Sequence, residues 1–554
     1  MESRSEKLNR LLSEHWDLLI IGGGITGAGI ALDAASRGIR TALVEKGDFA
    51  SGTSSKSTKL VHGGLRYLKQ LEFALVSEVG RERAIVHQNA PHLVIPEKML
   101  MPLVKGGTYG RLSSSFGLEV YDILANVRKE DRRHMLSKEE TLALEPLLNE
   151  ATLLGSGFYS EYRTDDARLT IELIKAAQRK GAVCLNYCQV EALNHKDSMI
   201  CGVGCTDPIE GKTFKIKAGY VVNACGPWVD HIRKMNDSIT KKRLHLTKGV
   251  HIVLPHEKLP VRNSIYFDVP DGRMIFTIPR GRTTYIGTTD TDYKGDLDHI
   301  VTTKEDAQYL INAVNNTFPG IRLGMGDIES SWAGVRPLIH QEGKSASEIS
   351  RRDEIFEAPD GLISIAGGKL TGYRKMAQKT VDLVVKRMEK ADGKKFGPCT
   401  TRHIPLTEDP LWNEEEVNYY KGTIATQLSN FQLPDYYAAY LVANYGKQSE
   451  SIISSLNGFA GSEPEEALIR SELKFCVEEE MVCSSDDFFD RRTGRLCFDI
   501  GSVIHYKSII AKDLGGYLGW SEKQIVEDGT EMETRICTCQ VPASVTGSPL
   551  HKSY

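Results

Sequence analysis

The sequence reads Asp17-Leu-Leu-Ile-Ile21, then Gly22-Gly-Gly-Ile-Thr-Gly27, and further along it reads Thr41-Ala-Leu-Val-Glu45. The first and last of these segments are short apolar runs, as expected of strands buried on both faces. Between them, residues 28–37 carry helix formers with apolar side chains at helical spacing, and Gly38 stands where a left-handed residue ends a helix. The order therefore predicts a strand, a glycine-rich turn, a helix and a second strand.

This order of elements, with an acidic residue closing the second strand, is the fingerprint of a dinucleotide-binding fold. Gly22 makes the tight turn, Gly24 lets the backbone approach a pyrophosphate, and Gly27 lets the helix pack closely on the strand. The start of the helix, at Thr26, faces the phosphates, and Glu45 accepts the ribose hydroxyls. The pattern predicts a bound ADP moiety and leaves NAD and FAD open.

The composition is that of a globular α/β protein. The chain has 554 residues, of which 41% are hydrophobic and 26% charged, and it contains 50 glycines. This length predicts two or three domains, and the formal net charge of −4 gives no reason to expect nucleic-acid binding. No apolar run reaches about 18 residues and the start does not read as a signal peptide, so we expect a cytoplasmic protein or one lying on a membrane surface.

The cysteines do not favour a metal site. Eleven of them are spread along a chain without a secretion signal, so free thiols are expected. Cys184-x-x-x-Cys188 and Cys201-x-x-x-Cys205 lie in alternating, strand-like sequence without an accompanying histidine. We therefore predict no zinc and no other metal.

A loop rich in serine, threonine and glycine follows Glu45. Its hydroxyls and backbone amides suit the remaining phosphate and the ribitol of an extended dinucleotide. A solvated basic linker is the alternative, but glycines and His62 crowd just before a helical run from Leu65 to about Gln88. We therefore predict cofactor contacts from this loop, at Thr53, Ser54, Ser55, Thr58, Gly63 and Gly64.

Two further strands run into small-residue turns. The strand Lys215–Val222 leads into Asn223-Ala-Cys-Gly-Pro-Trp228, and the strand Leu362–Ala366 leads into Gly367-Gly-Lys-Leu-Thr371 and a helix. Such turns bring backbone close to a ligand, although an ordinary strand-to-helix turn has the same pattern. The second turn also provides a helix N-terminus that can face an anion or a polarised carbonyl. The cofactor contacts predicted from these turns are Ala224, Gly226, Gly368, Leu370 and Thr371.

The rest of the chain divides into a strand-rich and a helical part. Between His245 and Asp292, short strands alternate with Gly, Asp and Pro turns, which indicates an antiparallel sheet beside the nucleotide-binding domain. Beyond Gly393–Pro398 the sequence is mainly helical and lacks phosphate-binding glycines. We expect this tail to be a separate module.

With these segments in place, the chain resembles the bacterial type of the FAD-dependent, quinone-linked glycerol-3-phosphate dehydrogenase family. The resemblance covers nearly the whole chain, and the matching segments are Gly22–Gly27, Ala50–Tyr67, Val222–Trp228, Gly287–Thr291, Ala333–Leu338, Gly367–Thr371 and Arg470–Met481. It implies FAD as cofactor, oxidation of sn-glycerol 3-phosphate to dihydroxyacetone phosphate by hydride transfer to FAD, and delivery of the electrons to membrane quinone. It also implies a peripheral position on the inner face of the cell membrane, and the helical tail offers a surface for a homodimer.

The resemblance carries over a set of substrate-site residues. By the family pattern these are Arg66, Tyr67, His251, Arg336, Arg351 and Lys369. A phosphorylated triol is an anion, and the planar fork of arginine suits phosphate. Arg336 is therefore expected near the substrate oxygens, and Arg351, which has Arg352 beside it, is the expected phosphate clamp with Arg66 in support.

The same pattern suggests the catalytic groups. His251 is the expected general base for the C2 hydroxyl, because histidine titrates near neutrality. His62, just before the Gly-Gly turn that should abut the flavin ring, is the alternative base. Lys369 would stabilise charge on the reduced flavin or on the developing carbonyl. Cys225 departs from the family pattern, which has threonine or another small residue there, and places an oxidisable thiol beside the flavin.

The predicted fold is α/β (α+β overall). A Rossmann-like FAD-binding domain is interleaved with an antiparallel-sheet substrate domain, and a C-terminal helical domain follows. The predicted boundaries are 1–392 for the oxidoreductase region, with the FAD subdomain built mainly from 14–90, 155–244 and 346–392 and the substrate subdomain from 91–154 and 245–345, and 393–554 for the helical domain.

Three other functions remain open at this point. One is an oxidase of the same class that reduces O2 to H2O2; such oxidases often carry an extra insertion ahead of the C-terminal domain, and no long insertion is evident here. Another is a non-catalytic FAD-binding sensor or scaffold. An NAD-dependent dehydrogenase is less favoured, because the additional Gly/Ser/Thr loops imply a ligand longer than one ADP.

Overall fold

The structure is a computed structural model of the chain, and it describes residues 2–62, 73–107, 133–340 and 353–540. The helices are α1 Arg4–Ser13, α2 Ile25–Ser36, α3 Phe73–Asn89, α4 Lys138–Leu144, α5 Asp166–Arg179, α6 Val229–Met235, α7 Lys304–Thr317, α8 Tyr373–Asp392, α9 Glu414–Ser429, α10 Asp435–Tyr445, α11 Ser449–Ser455, α12 Pro464–Glu480, α13 Arg495–Phe498, α14 Ile500–Leu518 and α15 Glu522–Gln540. The strands are β1 His15–Ile21, β2 Thr41–Val44, β3 Leu60–Val61, β4 Ile95–Val104, β5 His134–Leu136, β6 Leu153–Arg163, β7 Val183–Leu185, β8 Gln189–Lys196, β9 Met199–Asp207, β10 Lys212–Asn223, β11 Leu244–Pro255, β12 Ser264–Asp268, β13 Met274–Arg280, β14 Thr283–Gly287, β15 Thr291–Asp292, β16 Ser330–Ile339, β17 Asp353–Glu357 and β18 Ile363–Gly367.

The first sheet is the nucleotide-binding sheet that the sequence predicts. Its strands follow the order β17-β18-β10-β1-β2-β7, and β9 and β8 continue from β10. In its centre, Ile20 of β1 pairs in parallel with Leu43 of β2 and with Val222 of β10, and all three side chains are fully buried. The carboxyl ends of these parallel strands meet at one edge, where ligands of open α/β sheets bind.

Helix α2 packs across this sheet and against α8. A methyl group at Gly29 would lie 2.9 Å from the ring of Tyr373 and 3.3 Å from the Cβ of Ala377, so only glycine allows the two helices this approach. Gly38, with φ of 81°, follows the end of α2 in the left-handed conformation predicted for it. The α/β fold with its Rossmann-like sheet is confirmed.

The second sheet has ten strands in the order β15-β11-β14-β13-β12-β4-β6-β3, with β16 on β11 and β5 on β6. Its pairs are antiparallel except for β12 and β4. Two of its strands, β3 and β6, come from ranges predicted for the FAD subdomain, and β6 pairs antiparallel with β4 along nearly its whole length, from Leu153 to Arg163. The boundaries of the two subdomains remain a prediction.

The helices from α9 onward have a core of their own, which includes Leu468, Phe488 and Ile510. They are joined to the first part of the chain by buried ion pairs. Arg168 of α5, for example, holds Glu480 of α12 with Nη1 at 2.6 Å from Oε2, and both side chains are at most 1% exposed. Breaking such a buried pair is costly because one charge is left without its partner. The helical part is therefore bound firmly to the sheets, although its exact boundary remains a prediction.

Within the described ranges, no helix is both long and apolar enough to cross a membrane.

Candidate active site

One large cavity lies between the carboxyl edge of the first sheet and the inner face of the second. Its volume is about 1410 Å³. The turns after β1, β10 and β18 line it at Gly22, Ala224 and Gly368, and the second sheet contributes His251 and Arg336. The remaining predicted residues that line it are Gly24, Thr26, Glu45, Thr53, Ser54, Thr58, His62, Gly226, Lys369, Leu370 and Thr371. The fold thus brings together residues from distant parts of the sequence.

The turn between β1 and α2 has the geometry of a pyrophosphate site. Gly22 has φ of 112°, which favours glycine, and a methyl group at Gly27 would lie 1.9 Å from the carbonyl oxygen of Gly22. Gly27 therefore serves close packing and does not itself line the cavity. Helix α2 starts after Gly24 without a side-chain cap and without an acidic residue in its first turn. Its N-terminus is therefore suited to an anion in the cavity.

Glu45 stands at the end of β2. Its Oε2 accepts a hydrogen bond from the N–H of Gly23 at 2.6 Å, and its Oε1 accepts one from the N–H of Gly47 at 3.0 Å. Burial raises the pKa of the Glu45 carboxyl, and the two backbone donors oppose this effect. The carboxyl is thus fixed in orientation, and its remaining lone pairs are available to ribose hydroxyls.

The hydroxyl loop after β2 lies along the cavity but does not use all of its hydroxyls there. Ser54 Oγ accepts a hydrogen bond from the N–H of Ile25 at 2.9 Å, which ties the loop to the start of α2. Thr53 Oγ1 donates to the carbonyl of Val335 at 2.6 Å. Ser55 is buried and its hydroxyl lies 3.4 Å from the carbonyl of Gly52, so its side chain supports the loop and does not line the cavity.

The turn after β18 also lines the cavity. Gly367 and Gly368 have φ of 76° and 79°, and a methyl group at Gly368 would lie 2.4 Å from the sulfur of Met376. Thr371 Oγ1 donates to the carbonyl of His62 at 3.3 Å and so links this turn to the residue that follows β3.

His251 is buried on β11 and stacks on Trp332, with ring centroids 4.7 Å apart and planes 12° apart. Its Nε2 is 3.0 Å from Thr58 Oγ1, and among the described residues none hydrogen-bonds its Nδ1. Burial, and then the positive charges of Arg336 and Lys59, lower the pKa of His251 well below its usual value. The structure thus differs from the expectation that this ring titrates near neutrality, because burial disfavours the charged imidazolium.

Arg336 lies on β16 with its guanidinium fixed by three hydrogen bonds. Nη2 donates to Thr288 Oγ1 at 2.8 Å, and Nη1 donates to the carbonyl of Thr289 at 3.2 Å and to Asp290 Oδ1 at 3.3 Å. A methyl group at Gly249 would lie 2.3 Å from Nη2, so the absence of a side chain there makes room for the guanidinium. Arginine is thereby presented to the cavity in one orientation.

Several residues at the cavity were not predicted from the sequence. Lys46 lies over the ring of Trp228 at 4.4 Å from its centroid and forms an ion pair with Asp298. Arg273, just after the turn between β12 and β13, adds a further cation to the lining, and Phe276 adds an aromatic ring that meets His62 edge-on. The Asp-Gly turn before Arg273 was visible in the sequence, but nothing local indicated that it faces the cofactor cavity.

Five predicted positions lie outside the described residues. They are Gly63, Gly64, Arg66, Tyr67 and Arg351. Their assignment rests on the sequence.

The sequence of the chain matches known protein families over most of its length. Residues 17–374 match the FAD dependent oxidoreductase family, and residues 399–525 match the C-terminal domain of alpha-glycerophosphate oxidase. The fold and the cavity are thus those of a flavin-dependent oxidoreductase.

Individual relatives show which family of flavin-dependent oxidoreductases the chain resembles. The chain is 48% identical over 528 residues to the aerobic glycerol-3-phosphate dehydrogenase of Bacillus subtilis (strain 168), with 94% of each protein covered. It is 47% identical over 535 residues to the enzyme of the same name from Staphylococcus aureus (strain MRSA252), with 96% of each covered. The X-ray structure of the glycerol-3-phosphate dehydrogenase from Bacillus halodurans complexed with FAD shares 40% identity and a TM-score of 0.83, covering 98% of this chain and 99% of that one. The chain belongs to the FAD-dependent glycerol-3-phosphate dehydrogenase family, as the sequence resemblance predicted.

FAD is therefore the cofactor, and the residues present fit it. The side-chain-free turn at Gly22 and Gly24, the uncapped start of α2 and the carboxyl of Glu45 suit the ADP half. The cavity, at about 1410 Å³, exceeds the range of roughly 300–1,000 Å³ usual for small-ligand pockets and extends as far as His251 and Lys369. It has room for an extended dinucleotide with a small substrate beside it.

Proposed function

We propose that this protein oxidises sn-glycerol 3-phosphate to dihydroxyacetone phosphate and passes the electrons to a membrane quinone. The observation that supports this most is that His251, Arg336 and Lys369 line the same cavity as the dinucleotide-binding turns. The names of the close relatives supply the substrate. The site residues as a set, including Arg66, Tyr67 and Arg351, remain part of the proposal.

Recognition of the substrate falls to the cations of the cavity. A phosphate monoester carries about two negative charges near neutrality, and a guanidinium already fixed by Thr288 and Asp290 loses little freedom on binding it. Arg336 and Lys369 both line the cavity and provide positive charge there. Arg351 remains the proposed phosphate clamp.

FAD, when bound, supplies the acceptor for the hydride that leaves C2 of the substrate. The hydroxyl proton must leave in the same reaction, so that an alcohol becomes a ketone. We assign this proton to His251, because a neutral imidazole that lines the cavity can accept it. Lys369 is placed to stabilise negative charge that develops on the oxygen.

An anaerobic titration tests the oxidation step. Glycerol 3-phosphate added to the holoenzyme without oxygen should bleach the flavin absorbance, and a quinone analogue should restore it. A flavin that stays oxidised at saturating substrate would contradict the enzyme reading and favour a sensor or scaffold. Free glycerol serves as the control, because without a phosphate it should bleach the flavin only at far higher concentration.

The electron acceptor is tested separately. The match of residues 399–525 to a domain of alpha-glycerophosphate oxidase makes O2 the second candidate. We expect quinone analogues to be reduced faster than peroxide forms, in keeping with the dehydrogenase names of the relatives. One peroxide per substrate with no quinone reduction would identify an oxidase.

Delivery of electrons to a quinone requires contact with a bilayer, and we propose that the protein docks on the inner face of the cell membrane. Sedimentation with liposomes that contain a quinone tests this. We also propose that the helical tail forms a homodimer, which light scattering on the purified holoenzyme would reveal by its mass.

Replacement of the two candidate bases distinguishes them. His251→Asn should reduce the rate of flavin bleaching by about 100-fold or more, within the range of general base catalysis, while His62→Asn should have a smaller effect. A reversed order would make His62 the base.

A further inference from the structure

The hydroxyl loop, which lines the cofactor cavity, is joined by ion pairs to the C-terminal part of the chain. The segment Asp487–Arg492, a π-helical turn before α13, lies against residues 47–59, which form the hydroxyl loop between β2 and β3. Two sets of buried ion pairs join them, one at each end of the hydroxyl loop.

The first set centres on Asp48, which is fully buried. Arg491 Nε donates to its Oδ2 at 2.6 Å, and Arg492 donates from Nη1 to Oδ2 at 2.6 Å and from Nη2 to Oδ1 at 2.8 Å. Burial alone would raise the pKa of Asp48, but Arg492 and Arg491 outweigh it and lower the pKa below its usual value. Asp48 is therefore charged, and its position is fixed by two guanidinium groups of the C-terminal part.

The second set centres on Asp490, whose side chain is 2% exposed. Lys56 Nζ of the hydroxyl loop forms an ion pair with Asp490 Oδ2, and Arg535 Nη2 of α15 donates to the same oxygen at 3.1 Å. Lys56 is also confined on its other side, because its Cβ would lie only 2.5 Å from a methyl group at Gly334 of β16. The hydroxyl loop is thus held between the second sheet and the C-terminal helices.

The residues held in this way are those that face the cofactor cavity. Thr53, Ser54 and Lys56 all line it, whereas Asp490 and Arg535 do not. Buried ion pairs add little net stability compared with apolar contacts of the same shape, because desolvation offsets the attraction. A function in fixing the loop accounts for their presence better than a contribution to stability does.

We propose that Asp490 is a positioning residue for FAD: through Lys56, the C-terminal domain holds the hydroxyl loop in its binding conformation and so slows release of the cofactor. The inference rests on FAD binding alone and not on the identity of the substrate or the electron acceptor. Its failure and the failure of the proposed reaction are therefore distinguishable.

The test compares Asp490→Asn with the matched control Asp513→Asn in the full-length holoenzyme. Asp513 also pairs with an arginine, with Oδ2 at 2.6 Å from Arg470 Nε, but both residues belong to the C-terminal helices α12 and α14. Holoenzyme is diluted at 25 °C without substrate, and free FAD is followed by its fluorescence. Melting temperatures of the FAD-free forms report general loss of stability.

We expect Asp490→Asn to release FAD about tenfold faster than wild type, a change of about 1.4 kcal/mol, and Asp513→Asn to release it at the wild-type rate. Equal FAD release rates in the two variants would overturn the proposal. So would faster release in both variants in proportion to the fall in the melting temperature of their FAD-free forms. If Asp490→Asn does not fold, Arg535→Gln replaces it, since Arg535 donates to the Asp490 oxygen that pairs with Lys56. An unchanged release rate in Arg535→Gln would then refute the inference.

A double-mutant cycle separates this role from direct contact of Lys56 with FAD. If Lys56 acts through Asp490, Lys56→Gln combined with Asp490→Asn should release FAD no faster than the more affected single variant. Additive effects would show that the two residues act independently and would contradict the proposal.

Discussion

Replacing Gly287 with alanine tests whether the placement of His251 matters to the reaction. Gly287 of β14 faces His251 of β11 across their antiparallel pair. A methyl group there would lie 2.0 Å from Cδ2 and 2.5 Å from Nε2 of the imidazole, where ordinary contact begins at 3.4 Å. The ring therefore has to retreat by about 1.4 Å, the difference between 3.4 Å and 2.0 Å.

The ring cannot retreat freely, because it stacks on Trp332 at 4.7 Å and is bonded to Thr58 at 3.0 Å. A displacement of about 1 Å in a reacting group can reduce turnover about 100-fold, which corresponds to about 2.7 kcal/mol in the activation barrier. Overpacking of this kind also costs about 1–3 kcal/mol of folding free energy. We expect Gly287→Ala to lower kcat/KM for glycerol 3-phosphate by about 100-fold while FAD remains bound.

The assay is dye reduction by the holoenzyme, with flavin absorbance as the measure of FAD content. Gly204→Ala is the matched control, since a methyl group there would meet nothing closer than Ala192 Cβ at 3.6 Å. Activity of Gly287→Ala within about threefold of that control would refute the argument. In a His251→Ala background, the stability loss caused by Gly287→Ala should disappear; if it persists, the imidazole is not the obstacle.

Gly27→Ala should abolish FAD binding, because its methyl group would lie 1.9 Å from the Gly22 carbonyl oxygen; recovery of stoichiometric flavin would contradict this. Arg336→Lys should raise KM for glycerol 3-phosphate about tenfold with FAD affinity unchanged, since lysine cannot reproduce the fork; equal losses of substrate and FAD affinity would show a merely structural role. Burial lowers the pKa of His92 to about 4 from 6.5, so as pH falls from 6.5 towards 4 the unfolded state takes up the proton first and stability drops by about 3 kcal/mol. His92→Leu should therefore show a smaller fall in melting temperature between pH 7 and pH 5 than wild type, and an equal fall would refute this.

The nucleotide-binding half of the fold could be predicted because its signals are local. β1, β2 and β18 are each a short apolar run that ends at a glycine or an acidic residue, and Gly22, Gly27 and Gly38 have the conformations or contacts expected of their positions. Turns of this kind are specified by the few residues that form them. The turns that line the cavity could therefore be located from the sequence alone.

The environment of each side chain could not be predicted, because it depends on residues far away in the chain. Nothing in the sequence around Lys56 indicates its partner, because Asp490 is 434 positions further along. Likewise, the expected pKa of His251 was that of a free histidine, whereas burial and Arg336 lower it. Strand β6 also belongs to the second sheet because it pairs with β4, which is distant in the sequence. No periodicity within β6 itself specifies which strand it joins.

The lowered pKa of His251 is consistent with its proposed role as a base once the substrate is considered. Burial affects the ring whether or not the cavity is filled, but the positive charge of Arg336 does not act alone when an anion is bound beside it. An anionic substrate near Arg336 would offset part of that charge, and the pKa of the imidazole would rise accordingly. In the proposed mechanism the ring is then more basic when the substrate is in place. Gly249 leaves room for the guanidinium and Thr288 accepts a hydrogen bond from it, so the proposed binding of an anion and the proposed removal of the proton are linked through Arg336.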